Sequence, residues 1–290
     1  MKRLFRFLTG AFTFVRSYFN RTVFIAIHLA VLTVFFVPFS LFDLWLLIGF
    51  FFLGMFGISA GYHRLLSHRS YGANRLMRFA LAFIGCTAAQ KGPIWWAKQH
   101  IDHHLYTDTP KDRHSPVSPY LSFWHGHIGW LFSKKEGEHD YSCVKHLTKH
   151  WEMRLLERFN FVPALLLLWL CWFLDGWSGV IWGFVVRTVV LYHSTFAVNS
   201  VCHWSWFGYR KFDTPDHSRN VWWLTLFTLG EEWHNDHHKH QGRSKQGVGW
   251  WKIDCSWYLL WFFWVISGGK LVWGLHKPIH KPQKELAGIQ

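Results

Sequence analysis

The chain has 290 residues, is 50% hydrophobic by count and 17% charged, and carries 28 Phe, 21 Trp and 9 Tyr. That balance excludes a disordered or low-complexity chain, because both lack the apolar side chains that form a core. Five scattered cysteines without a CxxC pair give neither a disulfide framework nor a zinc ribbon. The net charge of +14 raises nucleic acid as a partner, and the placement of the charge argues against it.

In chain order, five Lys/Arg precede Thr22 and none falls in 22–63. From Thr22 to Gly61 the one charge is Asp43, with Pro38 and Ser40 near the middle. A bilayer core of about 30 Å takes about 20 helical residues per crossing, so two crossings are predicted, roughly 22–38 and 43–61. The run is too long for a signal peptide and leads straight into a second one. Residues 64–158 hold fourteen Lys/Arg and 159–186 hold none. Asp175-Gly176 and Ser178-Gly179 break the second apolar window, which predicts another hairpin, roughly 160–175 and 179–201. Leu76–Ala89 and Trp257–Ile266 are too short to cross and suit interfacial helices. No internal repeat or linker divides the chain, so 1–290 reads as one all-α membrane domain. It has four transmembrane helices in two hairpins (22–61 and 160–201). A helical cap formed by 62–158 and 203–290 carries a histidine-ligated di-metal site. Both hairpin turns lack Lys and Arg, so the termini and the cap are placed on the cytoplasmic side. Arg187, alone in the fourth span, is read as snorkelling or as pairing within the bundle.

Histidine is the anomaly, with 21 copies. Nine fall in four groups: His63 and His68; His100, His103 and His104; His203; and His234, His237 and His238. Positions i,i+3 and i,i+4 share a helix face about 5–6 Å apart, so each HxxHH presents three imidazoles on one side. Three are too many for one ordinary pairing and suit two metals sharing a helix. His63 and His68 are i,i+5, about 140° apart on an ideal helix. They are expected to reach different metals or to sit across a helix end or kink. All four groups reach the same side of the predicted membrane. Nine nitrogens imply two ions with four or five each. Imidazole suits several metals, but structural zinc takes four ligands, and five-nitrogen sites fit iron better. The reading is a di-iron centre with all-nitrogen ligands. The other twelve histidines are read as structural or solvent-facing.

Five segments resemble the membrane-bound fatty acid desaturases, of the stearoyl-CoA desaturase type. They are Gly57-Ile-Ser-Ala-Gly-Tyr-His-Arg-Leu-Leu-Ser-His68, Trp96-Ala-Lys-Gln-His-Ile-Asp-His-His104, His127-Ile-Gly-Trp130, Asn199-Ser-Val-Cys-His203 and Gly230-Glu-Glu-Trp-His-Asn-Asp-His-His238. The stretches Tyr106–Pro116 and Gln246–Asp254 look like the bacterial branch, and the resemblance runs from about Gly57 to Lys277. It implies two Fe ions on the nine histidines, divided as five on one and four plus water on the other, with Asn199 holding the water. It implies O2 as co-substrate, a saturated long-chain acyl substrate on coenzyme A, and a cis double bond with Δ9 favoured. Two electrons would come from a separate carrier of ferredoxin, rubredoxin or cytochrome b5 type. Leu47 and Phe51 would close the far end of an apolar acyl tunnel, Gln90 and Trp96 would line it near the irons, and Lys98, Lys134 and Lys135 would meet the acyl carrier. The chain departs from the family at Gln99, at Glu232 and in a longer Trp204–Phe207 stretch, all near the expected carrier mouth. Acyl-lipid desaturation and a di-iron hydroxylase or alkane monooxygenase are the competing enzyme readings. A metal transporter is the non-enzyme reading, although its ligands should lie near mid-membrane. The resemblance implies a multi-pass protein of a bacterial cytoplasmic membrane.

Overall fold

The computed structural model describes residues 21–116, 123–133 and 141–276. The chain is mostly helical, and Lys134 and Lys135 lie outside the described residues. Helix α1 spans Arg21–Phe36 and α2 spans Leu41–Ser67. Ser40 starts α2 with a capping box: its hydroxyl accepts from the Asp43 amide and the Asp43 carboxylate accepts from the Ser40 amide. This explains the one acid of the first apolar window. The Asp43 carboxylate also accepts from Ser178 Oγ at 2.8 Å, which joins the turns of the two predicted hairpins.

The last eleven residues of α2, Gly57–Ser67, are π-helical. Glycines let this widened segment touch α3 (Arg75–Cys86). A Cβ on Gly57 would lie 2.5 Å from the Gly85 amide nitrogen, and one on Gly61 would lie 2.9 Å from the Leu81 carbonyl oxygen. Helix α4 covers Pro93–Tyr106, with proline in its first turn, where no amide hydrogen is needed. The Glu157 carboxylate accepts from the Ile94 and Trp95 amides at 2.9 and 3.1 Å, a cap supplied by another helix. Helix α5 is Phe123–His127 and α6, the source of Glu157, is Trp151–Arg158.

Helix α7 runs over Val162–His203, 42 residues. It is not straight: Asp175 (φ −152°, ψ 34°) and Gly176 (φ 53°, ψ −138°) leave helical geometry. Ala164, Leu167 and Cys171 pack in one cluster with Val180, Ile181, Phe184 and Val185. An unbroken helix would separate Ala164 from Phe184 by about 30 Å, so the chain folds back at Asp175-Gly176. Helix α8 is His234–Lys239 and α9 is Cys255–Ile266. Two-residue strands Gly72–Ala73 (β1) and Val272–Trp273 (β2) pair antiparallel, Gly72 with Trp273.

Two described helices, α2 and α7, are long and apolar enough to cross a membrane, and this fits a membrane protein. The expectation of four full-length spans is met only in part. Helix α1 is a shorter apolar helix, and α7, one of the two long apolar helices, is broken at Asp175-Gly176. Helix α2 continues past Gly61 to Ser67 and carries His63, with His68 as the next residue. The apolar α9 buries only Ser256 and Leu260 and exposes Tyr258, Leu259, Trp261, Phe262, Trp264, Val265 and Ile266, as an interfacial helix would.

Arg187 pairs within the bundle, with neutral partners. It donates to the Phe50 and Thr87 carbonyls at 2.8 Å each and to Thr87 Oγ1 at 3.2 Å. Gly54 makes room for it, since a Cβ there would stand 2.0 Å from Nη2 and 2.8 Å from Leu191 Cδ1. Substituting Gly54→Val must push the guanidinium off its carbonyls. We expect a loss of about 1–3 kcal/mol, typical of overpacking, read as a lower melting temperature in detergent than the parent.

Candidate metal centre

The nine sequence-selected histidines converge. His63, His68, His100, His104 and His237 form one group, and His103, His203, His234 and His238 a second; within each group the candidate ligand atoms lie within 4.8 Å of one another. Eight of the nine are buried and His100 is half-buried. Each HxxHH divides between the groups. Helix α4 sends His100 and His104 to the first and His103 to the second, while α8 sends His237 to the first and His234 and His238 to the second. Helix α2 supplies His63 and the residue after its end, His68; α7 supplies its last residue, His203.

His63 and His68 sit across the end of α2 and reach the same group, which is the second of the two expected arrangements. The reason is the π-helix, whose i→i+5 hydrogen bond is present as the His68 amide donating to the His63 carbonyl at 3.0 Å. That geometry returns residue i+5 to nearly the same face. Asn199 stands half-buried one turn before His203.

The ring nitrogens test whether cations fit. His100 Nε2 lies 2.7 Å from His68 Nε2 and 3.0 Å from His104 Nε2. His237 Nε2 lies 3.1 Å from His63 Nε2 and 3.0 Å from His104 Nε2. In the second group His234 Nε2 lies 3.0 Å from both His203 and His238 Nε2. A ring nitrogen has one in-plane position, filled by either a lone pair or a proton, so it cannot serve two such contacts. Lone pairs aimed at a shared centre are what a cation relieves, and the residues fit two metal ions.

Carboxylates fix the far side of four rings. Nδ1 of His103, His203 and His238 lies 3.0, 3.1 and 2.9 Å from Asp112, Asp108 and Asp216. His63 Nδ1 is paired with Glu231, and the Gln246 amide lies 3.1 Å from the same nitrogen. A carboxylate on Nδ1 holds the proton there and leaves the Nε2 lone pair facing the metal position. Burial alone would raise Asp108, Asp112 and Asp216, but the facing imidazoles of His203, His103 and His238 hold all three below the usual range. Burial would also raise Glu231, and His63 and Arg64 outweigh it, to about 2. Burial drives His100, His104, His234 and His237 well below the ordinary histidine value. His238 is lowered to about 4 by the same cause, against the pull of Asp216. These five rings are therefore neutral, as ligands must be, whereas Asp108 raises His203 against its burial.

These acids were missed in the sequence reading. Their signal was proximity: Asp108 and Asp112 follow His104 by four and eight residues in a chain with only 17 acids. His114 stands beside His103 and Asp112 in a third group able to hold a metal. That group shares His103 and braces the second cluster.

Of the residues expected to meet substrate, Trp96 lies against the cluster, stacked on His100 at 5.1 Å. Gln90 donates to Thr195 Oγ1 at 2.8 Å. Lys98 is buried and ion-paired with Asp102 one turn on. Phe51 is buried in the core and Leu47 half-buried one turn earlier.

The fatty acid desaturase family profile matches residues 42–254. "Delta-9 acyl-lipid desaturase 2" of Arabidopsis thaliana is 38% identical over 244 residues, 82% of this chain and 76% of that protein. "sn-1 stearoyl-lipid 9-desaturase" of Anabaena variabilis is 35% identical over 247 residues, 83% of this chain and 88% of that protein. "Acyl-CoA 5-desaturase AL21" of Anemone leveillei is 39% identical over 210 residues, 71% of this chain and 64% of that protein.

Two outcomes are expected. Asp216→Asn should lower metal retention about 10–100-fold, read as metal per protein after dialysis against a graded chelator. The buried rings also set a pH dependence. His238 stays neutral when folded down to about 4, against an ordinary 6.5. The unfolded chain therefore binds more protons in that window, and stability is lost as pH falls through it. The metal-free protein should melt lower near pH 5 than near pH 7 in the same detergent.

Proposed function

As the chain belongs to the fatty acid desaturase family, we propose that it inserts a cis double bond, Δ9 favoured, into a saturated long-chain acyl group at a di-iron centre. Membership makes it an oxidoreductase acting on fatty acyl chains. The observation that carries the di-iron reading is the pair of adjacent histidine clusters, five nitrogens and four, at the ends of two apolar helices. His63, His68, His100, His104 and His237 would hold one iron. His103, His203, His234 and His238 would hold the other, with Asn199 retaining a water on it. Iron there supplies the activation of O2 that removal of hydrogen from unactivated carbon requires. The chain's own residues fix the ligands through Asp108, Asp112, Asp216 and Glu231. They also keep bulk water from the centre by burying it.

An unbranched acyl chain carries no polar mark, so the site of oxidation is set by where the chain is held. Leu47 and Phe51 would stop its far end, and Gln90 and Trp96 would guide it past the irons. Lys98, Lys134 and Lys135 would face the carrier, lysine being a suitable point charge for phosphate. Coenzyme A is our first reading of that carrier. A glycerolipid is the second, favoured by the names of the Arabidopsis and Anabaena relatives. The two helical hairpins would make four passes, with the active site and termini at the cytoplasmic face of a bacterial membrane. The electrons would come from a separate ferredoxin, rubredoxin or cytochrome b5.

The test is double-bond mapping by mass spectrometry in a host fed isotope-labelled stearate. Strains would express the parent or His237→Ala, each with a co-expressed electron carrier. We expect new cis-monounsaturated chains with the parent and none with His237→Ala. Label appearing first in the acyl-CoA pool selects coenzyme A, and label appearing first in intact lipid selects the glycerolipid. Hydroxylated products without unsaturation would overturn desaturation in favour of a hydroxylase.

A further inference from the structure

One row of side chains leads away from the histidine clusters in unbroken contact. Trp96 lies nearly flat on His100, ring centroids 5.1 Å apart and planes 18° apart. The Tyr62 ring follows at 5.7 Å from Trp96 and is fully buried. Its hydroxyl stands 3.0 Å from Cys86 Sγ and donates to the Lys91 carbonyl at 3.2 Å. Cys86 is fully buried as well. Indole, phenol and thiol are among the side chains most readily oxidised by one electron. Here they stand in series, starting on a ring of the metal cluster. Desaturation uses neither the phenol nor the thiol.

We propose that Trp96, Tyr62 and Cys86 form a relay that drains oxidising equivalents from the metal pair when O2 has reacted and no acyl chain is present. The proposal rests on the desaturase reading. The Trp96 indole gives one electron to the oxidised centre and becomes a radical cation. Tyr62 returns one electron to the indole, and its hydroxyl proton is released to solvent water at the half-buried Gln90–Lys91 segment, the Lys91 carbonyl serving only as its hydrogen-bond acceptor. The Cys86 S–H bond then breaks and the O–H bond of Tyr62 re-forms, leaving the unpaired electron on sulfur. In sum the thiol loses one electron and one proton. The O2-derived oxidant at the centre gains one electron and takes one proton from water. The external carrier restores the thiol with one electron through the same row, together with one proton. Burial of Cys86 keeps the sulfur radical from water and O2, and so from the irreversible rungs of sulfur oxidation.

The test uses the full iron-loaded chain in lipid nanodiscs, given O2 and reduced carrier without acyl substrate. The proteins compared are the parent, Tyr62→Phe, Cys86→Ala and Tyr71→Phe. Tyr71 is a suitable control because it is a buried tyrosine outside the row, donating to the Ala60 carbonyl. Samples are frozen for electron paramagnetic resonance and digested for peptide mass spectrometry. We expect an organic radical in the parent and in Tyr71→Phe. In Tyr62→Phe its phenoxyl signature should be lost, and oxygen adducts on the Trp96–His100 peptide should rise several-fold. Cys86→Ala should show the same rise with a longer-lived phenoxyl signal. Tyr62→Phe and Cys86→Ala break different links, so a folding defect in one leaves the other to decide. Equal radicals and equal adducts in all four proteins, with iron content and desaturation intact, would overturn the relay alone. A parent that holds no iron and desaturates nothing would overturn the desaturase reading and the relay with it.

Discussion

The buried guanidinium of Arg64 is the contact on which the centre depends. Its Nη1 donates at 2.8 Å to both oxygens of Asp254 and at 2.9 Å to the Ser244 carbonyl, while Nη2 donates to Glu231 at 2.9 Å. Glu231 in turn holds His63, and Asp254 accepts from the Gln246 amide at 2.9 Å and caps α9 through Trp257. One side chain at the end of the first long helix therefore sets the loop that leads into the last histidine motif. Gly230, at φ 120°, is required beside it, because a Cβ there would stand 2.3 Å from Asp254 Oδ1 and 2.7 Å from Arg64 Nη2. Removing Arg64 would leave the two buried carboxylates of Glu231 and Asp254 without their shared cation, which costs far more than a surface pair contributes.

The same logic governs the outer faces of the two HxxHH helices. In α8 the three histidines point inward, while Asn235 accepts from the Lys211 and Phe212 amides and Asp236 binds Lys252 at 2.7 Å. In α4 the polar residues between the ligands include the buried Lys98, paired with Asp102. Polar residues interleaved with the ligands thus fasten α8 to its neighbours, while the α4 pair is internal to its helix. These contacts help hold the imidazoles in place, since a helix as short as α8 is marginal without tertiary support.

Much of the site was legible in the sequence because imidazole spacing and apolar windows are local signals. The nine histidines, their convergence and the division of each HxxHH follow from i,i+3 and i,i+4 geometry. The hairpin breaks at Ser40 and at Asp175-Gly176 follow from capping and turn chemistry. What was not legible was non-local or depended on backbone geometry. The bracing carboxylates Asp216 and Glu231 meet their histidines across folded distance, and an acid has no spacing rule that announces such a partner. Of the two outcomes expected for the i,i+5 pair, the helix end holds and different metals does not, because the π-helical turns do not follow 3.6 residues per turn. The span count rested on composition, which marks an apolar segment and not how far it runs before bending. The partners of Arg187, backbone carbonyls and a threonine hydroxyl, left no trace in the pattern of charged residues.

The π-helix at Gly57–Ser67 has a consequence for how such a site tolerates length change. Deleting one residue between His63 and His68 would convert the pair to i,i+4, which an ordinary α-helix already places on one face. The extra residue is therefore not needed to bring the two rings together. What it changes is heading: each added residue rotates the following chain by about 100° and advances it about 1.5 Å. Everything after Ser67, beginning with the Gly72–Ala73 strand that pairs with Val272–Trp273, leaves the helix in the direction that this one residue selects. The insertion thus acts as a steering element, and its natural compensation would be a matching change in the return path, not a shift of either histidine.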